Sequence, residues 1–183
     1  MSTAINNWEE RIEPTCVVHP TAYLAPGVYL KGDVVLDEEC NIWHNSVING
    51  DCSPVRIGKR TNLQELCCVH VGFDGVGTTI GDDVTVGHAA IIHGCTVEDG
   101  CLIGMGAIIM DGAVIGAGSV IGAGAVVTEG TIIPPNSVAF GAPAKVRGQV
   151  RPEHTANAMR SVAHYVEQAK RHQAEEAAAR AAL

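Results

Sequence analysis

At 183 residues the chain is long enough for one domain with an appendage and too short for two independent ones. A formal charge of −8 without any Lys/Arg cluster excludes the basic face that nucleic acid or an anionic membrane requires, which leaves small molecules as partners. Many glycines beside Val and Ile, with aromatics at only 4%, exclude an ordinary mixed α/β core and point to repetition.

The opening MSTAINNWEERIEP has no basic start followed by an apolar run, and no stretch is apolar enough to span a bilayer, so a soluble, cytoplasmic protein is expected. Residues 1–16 are assigned to an N-terminal extension. From Val18 onward an aliphatic side chain recurs every six residues: Val18, Leu24, Leu30, Leu36, Ile42 and Ile48, then Ile57, Leu63 and Val69, then Ile80, Val86 and Ile92. After a five-residue step the series resumes at Val97 and runs through Ile103, Ile109, Ile115, Ile121 and Val127 to Ile133. Four residues after each aliphatic sits a mostly small side chain, including Ala22, Cys40, Cys52, Cys67, Thr96, Cys101 and Ala107; Phe73 alone breaks the rule.

A period of six is a strand plus a turn, and three such units close one triangular coil that stacks on the next as parallel sheet. The expected fold is all-β, a parallel β-helix over residues 17–148. The period does not fix the hand of the coil. Cys40, Cys52, Cys67 and Cys101 fall in the small-residue slot, where a thiol acts as a compact hydrophobe. Cys68 should point outward. Seven cysteines with no C-x-x-C pair indicate reduced thiols. The string IGAGSVIGAGAV lies within the hexad period and opens no helix, so it serves turns and binds no nucleotide.

Two insertions interrupt the rhythm, three residues around Ser53-Pro54-Val55 and five within Gly72–Thr78. Past Gly141-Ala142-Pro143, residues 152–182 read as a helix. Met159, Val162, Val166 and Ala169 recur at helical spacing and should pack along the prism.

His70 follows Val69 and His93 follows Ile92, three hexads apart, which puts both on one face of adjacent coils. Rungs about 4.7–4.9 Å apart allow two outward imidazoles to converge on one ion with Zn–N near 2.0–2.1 Å. His88 follows Val86 by two residues, near a corner, and cannot easily reach that ion within one chain. A homotrimer would bring His88 of one chain against His70 and His93 of its neighbour. Three histidines with an open position are the ligand set of a catalytic zinc, which lowers the pKa of its bound water to about 7. His19, His44, His154, His164 and His172 are read as solvated.

At these residues the sequence resembles the gamma class of carbonic anhydrases, left-handed β-helix homotrimers. The likeness runs over residues 17–148 and is carried by NGDCSPVRIG (49–58), TNLQELCCVH (61–70), TIGDDVTVGHAAIIHGCT (79–96), LIGMGAIIMDGAVIG (102–116) and FGAPAKVRG (140–148). It implies a left-handed coil, a metal (zinc, iron or cobalt) on His70, His88 and His93, and hydration of CO2 to bicarbonate by metal-bound hydroxide. It also implies that Asn62 and Gln64 orient hydroxide and bicarbonate, with Tyr165 on the C-terminal helix beside them. Gln64, one hexad before His70, is read as sharing its face.

The chain departs from the family at Asn49, where the family carries an interfacial Arg, and at Glu65, where it carries Asp. Asp51 is kept, and the acidic proton-shuttle loop is missing. Loss of a guanidinium removes bidentate pairing with a carboxylate, so either another cation compensates, Arg56 being nearest in sequence, or the trimer contact and substrate pocket are altered. Hydrolysis of an acyl-CoA thioester by the same metal is the alternative activity. A hexapeptide acyltransferase using one histidine as general base, and a metal-bearing scaffold without turnover, are weaker readings.

Overall fold

A computed structural model describes residues 11–73 and 75–181. The first ten residues of the N-terminal extension, and residue 182 of the expected helix, lie outside the described residues. Strands from Val17 to Gln149 wind into a parallel β-helix with three faces. One face stacks the strand starts at Tyr29 and Val47 with Cys68–His70, Ile91–His93, Ile108–Ile109 and Val126–Val127. A second runs from Tyr23–Leu24 through Asn41–Ile42, Asn62–Leu63 and Thr85–Val86 to Ser137–Gly141. The hairpin Ala144–Gln149 closes its end with antiparallel pairing that caps an otherwise open edge.

The hexad rule is the packing rule. Every aliphatic of the series from Leu30 to Ile133 is buried, because side chains alternate along each two-residue strand and the inner one meets its counterparts from the other faces. Between coils the register is exact in steps of one turn, Ile92 pairing with Val69 on one side and Ile109 on the other. Burying an isoleucine in such a column contributes about 1.5–3 kcal/mol relative to leaving it in water.

Three slot assignments shift, at the two insertions and at the five-residue step before Val97. Cys52 is exposed, and Val55 takes the inner position, paired with Val34. The extra residues enter before the slot, so the register counts back from Ile57. By the same logic Cys95, and not the half-buried Thr96, fills the slot before Val97, and Thr78 fills the one before Ile80. Phe73 is 82% exposed at the tip of the second insertion.

The helix α1 (Pro152–Ala181) lies along the second face and touches its strands at 23–24, 41–42, 62–63 and 85–86. Proline at its first position is pre-set for a helix, and Glu153 meets the positive end of the dipole. Its buried side runs through Ala158, Val162 and Ala169, with Tyr165 against Trp43 at 5.4 Å between ring centroids. Met159, expected on that side, points outward, since Ala158 one residue earlier takes the inner position. His172 is also corrected: it is half-buried, edge-on to Trp43 at 5.5 Å. Lys170 pairs with Glu39 at 2.6 Å, and the Tyr23 hydroxyl donates to Glu176. No helix among the described residues is long and apolar enough to cross a membrane.

Candidate metal centre

His70 and His93 end the paired strands Cys68–His70 and Ile91–His93, directly opposite each other in the ladder. Val69 and Ile92 point into the core, so alternation turns the two imidazoles outward. Their rings are 5.1 Å apart between centroids, and His70 Nδ1 faces His93 Nε2 at 3.2 Å. Two nitrogens bound to one tetrahedral zinc at 2.0–2.1 Å are separated by about 3.3 Å. The donor set and its spacing therefore fit a zinc ion.

Each of the three histidines turns its other ring nitrogen toward a carboxylate. His93 Nδ1 meets Asp111 Oδ1 in close contact, His88 Nδ1 lies 2.7 Å from Glu65 Oε2, and His70 Nε2 lies 3.8 Å from Asp51 Oδ1. The nitrogens left over are His70 Nδ1, His88 Nε2 and His93 Nε2.

His88 stands in the turn after Thr85–Val86, at the corner that precedes the His70/His93 face. Among the described residues no three His, Cys, Asp or Glu side chains of one chain form a metal-holding group. The corner stacks His44, Glu65 and His88 in successive coils: Glu65 lies between the two histidines, 4.0 Å from His44 and 2.7 Å from His88.

Gln64 is placed differently from the sequence expectation. One hexad carries the chain to the next face and three return it, so Gln64 directly follows the Asn62–Leu63 strand of the second face. There it is only 6% exposed, and its Oε1 accepts from the His88 backbone N–H at 3.2 Å. With Oε1 held by that bond, the amide NH2 is the donor end of Gln64. Asn62, fully buried beside it, donates from Nδ2 to Thr85 Oγ1 at 2.9 Å, while its buried Oδ1 has no hydrogen-bond partner among the described residues. An orphaned acceptor next to the ligand corner marks a place where a polar group from outside the chain would be satisfied. Tyr165 reaches the same corner from α1; burial first, then the Glu65 charge, push its pKa up.

The contact made by Asn49 also differs. Asn49 Nδ2 donates to Asp51 Oδ2 at 3.1 Å, and this bond is the main cause of a lowered Asp51 pKa. Arg56 does not compensate for the missing Arg: it binds Asp33, 2.8 Å away on the neighbouring strand. The cation beside Asp51 is Lys31, at 3.8 Å. Lys31 sits three hexads before Asn49 and pairs with it in the ladder, a relation the six-residue period carries. Asp111 lies one coil beyond His93, opposite Gly94 on the next rung, a placement the six-residue period also carries although no residue-type motif marks it.

The pattern described as bacterial transferase hexapeptide (six repeats) matches residues 94–129, and that of the hexapeptide repeat of succinyl-transferase matches 77–110. A protein of Methanocaldococcus jannaschii named "Probable carbonic anhydrase" is 43% identical over 78% of this chain and 89% of its own length. The protein named "Carbonic anhydrase" in Geobacillus kaustophilus is 43% identical over 84% of each chain. A crystal structure from Bacillus cereus, provisionally described as an acetyltransferase, superposes with a TM-score of 0.85 at 43% identity, covering 87% of this chain and 92% of that one. With an uncharacterized transferase of Bacillus subtilis the match is partial, spanning 44% of that protein's length. Near-complete alignment with proteins named carbonic anhydrase, on the fold described above, establishes that the chain belongs to the gamma-class carbonic anhydrase family of hexapeptide-repeat proteins.

Proposed function

We propose that this chain is a metal-dependent enzyme of carbonic anhydrase type, working as a homotrimer with zinc held between subunits and hydrating CO2 reversibly. The observation that carries the reading is the 3.2 Å approach of His70 Nδ1 and His93 Nε2, the spacing of two ligands on one ion. His88 of a neighbouring chain would supply the third ligand. A bound zinc supplies hydroxide at neutral pH.

The chain's own residues do the rest. Gln64, fixed through its Oε1, offers its amide as a donor, and the unpaired Asn62 Oδ1 offers an acceptor. Together they would orient a small polar substrate at the corner. Tyr165 keeps its proton, because burial and then Glu65 raise its pKa, so it remains a donor at neutral pH.

Assembly is supported by exposed apolar side chains at both half-sites. Val47, Cys68 and Ile91 form an outward column next to His70 and His93. Leu66 and Met105, each 61% exposed, flank His88 at its corner. Apolar surface around two incomplete ligand sets fits burial against a second copy.

A second reading, hydrolysis of an acyl-CoA thioester, is favoured by the insertion beside His70, which presents Phe73 and Val76 to solvent where an apolar acyl group would lie. Stopped-flow CO2 hydration by the zinc-loaded protein, run beside a panel of acyl-CoA thioesters, separates the two. The expected result is CO2 hydration that disappears in His70→Ala, His88→Ala and His93→Ala. Thioester cleavage without CO2 hydration above buffer would replace the first reading by the second, and a monomer by light scattering would overturn the shared site.

A further inference from the structure

We propose that Asp111 is a positioning residue of the metal centre, holding His93 so that its Nε2 faces the ion. The inference rests on the metal reading above and deepens it. Three observations carry it. Asp111 Oδ1 contacts His93 Nδ1, the nitrogen on the far side of the ring from His70. A carboxylate there accepts the Nδ1 proton, which fixes the neutral tautomer with its lone pair on Nε2, the form a metal binds.

The backbone is also cut to fit this carboxylate. A Cβ built on Gly94 would come within 2.5 Å of Asp111 Oδ1, and one on Gly72 within 3.1 Å of Oδ2. Gly94 has φ +54, a left-handed conformation that disfavours other residues even without the carboxylate. Two glycines from two different coils thus leave room for one side chain from a third.

Position decides between Asp111 and the other two carboxylates as the one fixed within its own chain. Asp51 is 3.8 Å from His70 and already engaged by Asn49 and Lys31, and Glu65 is shared between His44 and His88 at a corner. Asp111 also borders Gly72, where the insertion bearing Phe73 begins. Asp111 is no ligand in this arrangement, because His93 stands between it and His70.

The test measures zinc affinity of the full-length protein by competition with a chromogenic chelator, for wild type, Asp111→Ala, Asp111→Asn and Gly94→Ala. Asp111→Ala should weaken zinc binding by about 10–100-fold, the usual cost of losing such a partner. Asp111→Asn, whose carboxamide oxygen still accepts from Nδ1–H, should recover most of that loss. Gly94→Ala should weaken binding as Asp111→Ala does, since its methyl displaces the carboxylate. Melting of the metal-free proteins separates folding from positioning: Asp111→Ala should melt with wild type. Zinc affinity unchanged in Asp111→Ala, or Asp111→Asn as weak as Asp111→Ala, would overturn the proposal. A wild-type protein that binds no zinc would overturn the metal reading and this inference together, whereas failure of the inference alone leaves tight zinc binding in the wild type.

Discussion

The two halves of the prism solve the same corner differently. From Gly94 to Gly130 the left-handed corner residues are all glycine, at 94, 100, 106, 112, 118, 124 and 130. Between residues 39 and 89 the matching corners are Glu39, Asn45, Arg60, Leu66, Asp83 and Ala89, all with φ between 55 and 65. A side chain in this region costs about 1–2 kcal/mol, so the half that carries the histidines accepts strain that the other half avoids.

The side chains kept there have uses. Arg60 and Asp83, one coil apart, make a two-pronged ion pair with both contacts at 2.6 Å, and Glu39 anchors α1 through Lys170. Leu66 and Ala89 adjoin Glu65 and His88, on the corner that a neighbouring chain would cover. Regular glycine corners from Gly100 onward build the scaffold, whereas side chains at the earlier corners, two insertions and the glycine at 94 build the site.

The largest expected effect tests whether the interior is common to both halves. Ile92→Ala, beneath His93, and Ile115→Ala, in the regular half, should each cost about 2–5 kcal/mol by urea unfolding at fixed protein concentration. A much cheaper Ile92→Ala would show that the site half is loosely packed. The corners themselves come next. Gly106→Ala has open space for its methyl and meets only backbone strain, so it should lose about 1 kcal/mol, while Ala89→Gly, one coil away, should gain up to a similar amount. Equal and small effects at both would remove the strain argument.

The inner columns, the shared face of His70 and His93, and the corner placement of His88 were all legible, because each depends only on counting sixes. Counting sixes puts Cys52 and Thr96 in the slots that Val55 and Cys95 fill, because an insertion or a short step leaves the count ambiguous until pairing fixes which side absorbs it. Nearness in sequence points to Arg56 as the compensating cation, whereas the ladder sets Lys31, three hexads before Asn49, beside Asp51. Asp111 went unseen because its role lies in a contact across coils that no residue-type pattern announces.

Smaller perturbations sharpen the register. A thiol reagent on the folded protein should modify Cys52 and Cys68 and spare Cys40, Cys67, Cys95 and Cys101, whose thiol pKa values burial pushes up, to about 12 for the last three. Fast labelling of Cys95 would contradict the slot assigned to it. The smallest effect is expected at Asn49→Arg. The new guanidinium would meet an Asp51 already partnered by Lys31 at the surface, so stability should change by less than about 1 kcal/mol. A larger gain would mean that the neighbouring chain buries this pair.

The central claim, one ion held by two chains, is tested most directly by subunit mixing. His88→Ala and His70→Ala proteins should each bind no zinc at the centre. Unfolded together in equal amounts and refolded, they should recover about a quarter of the wild-type zinc, the fraction of interfaces in a randomly mixed trimer that join an intact His70/His93 pair to an intact His88. Stoichiometric zinc in either variant alone, or no recovery in refolded mixed trimers, would contradict a site shared between subunits.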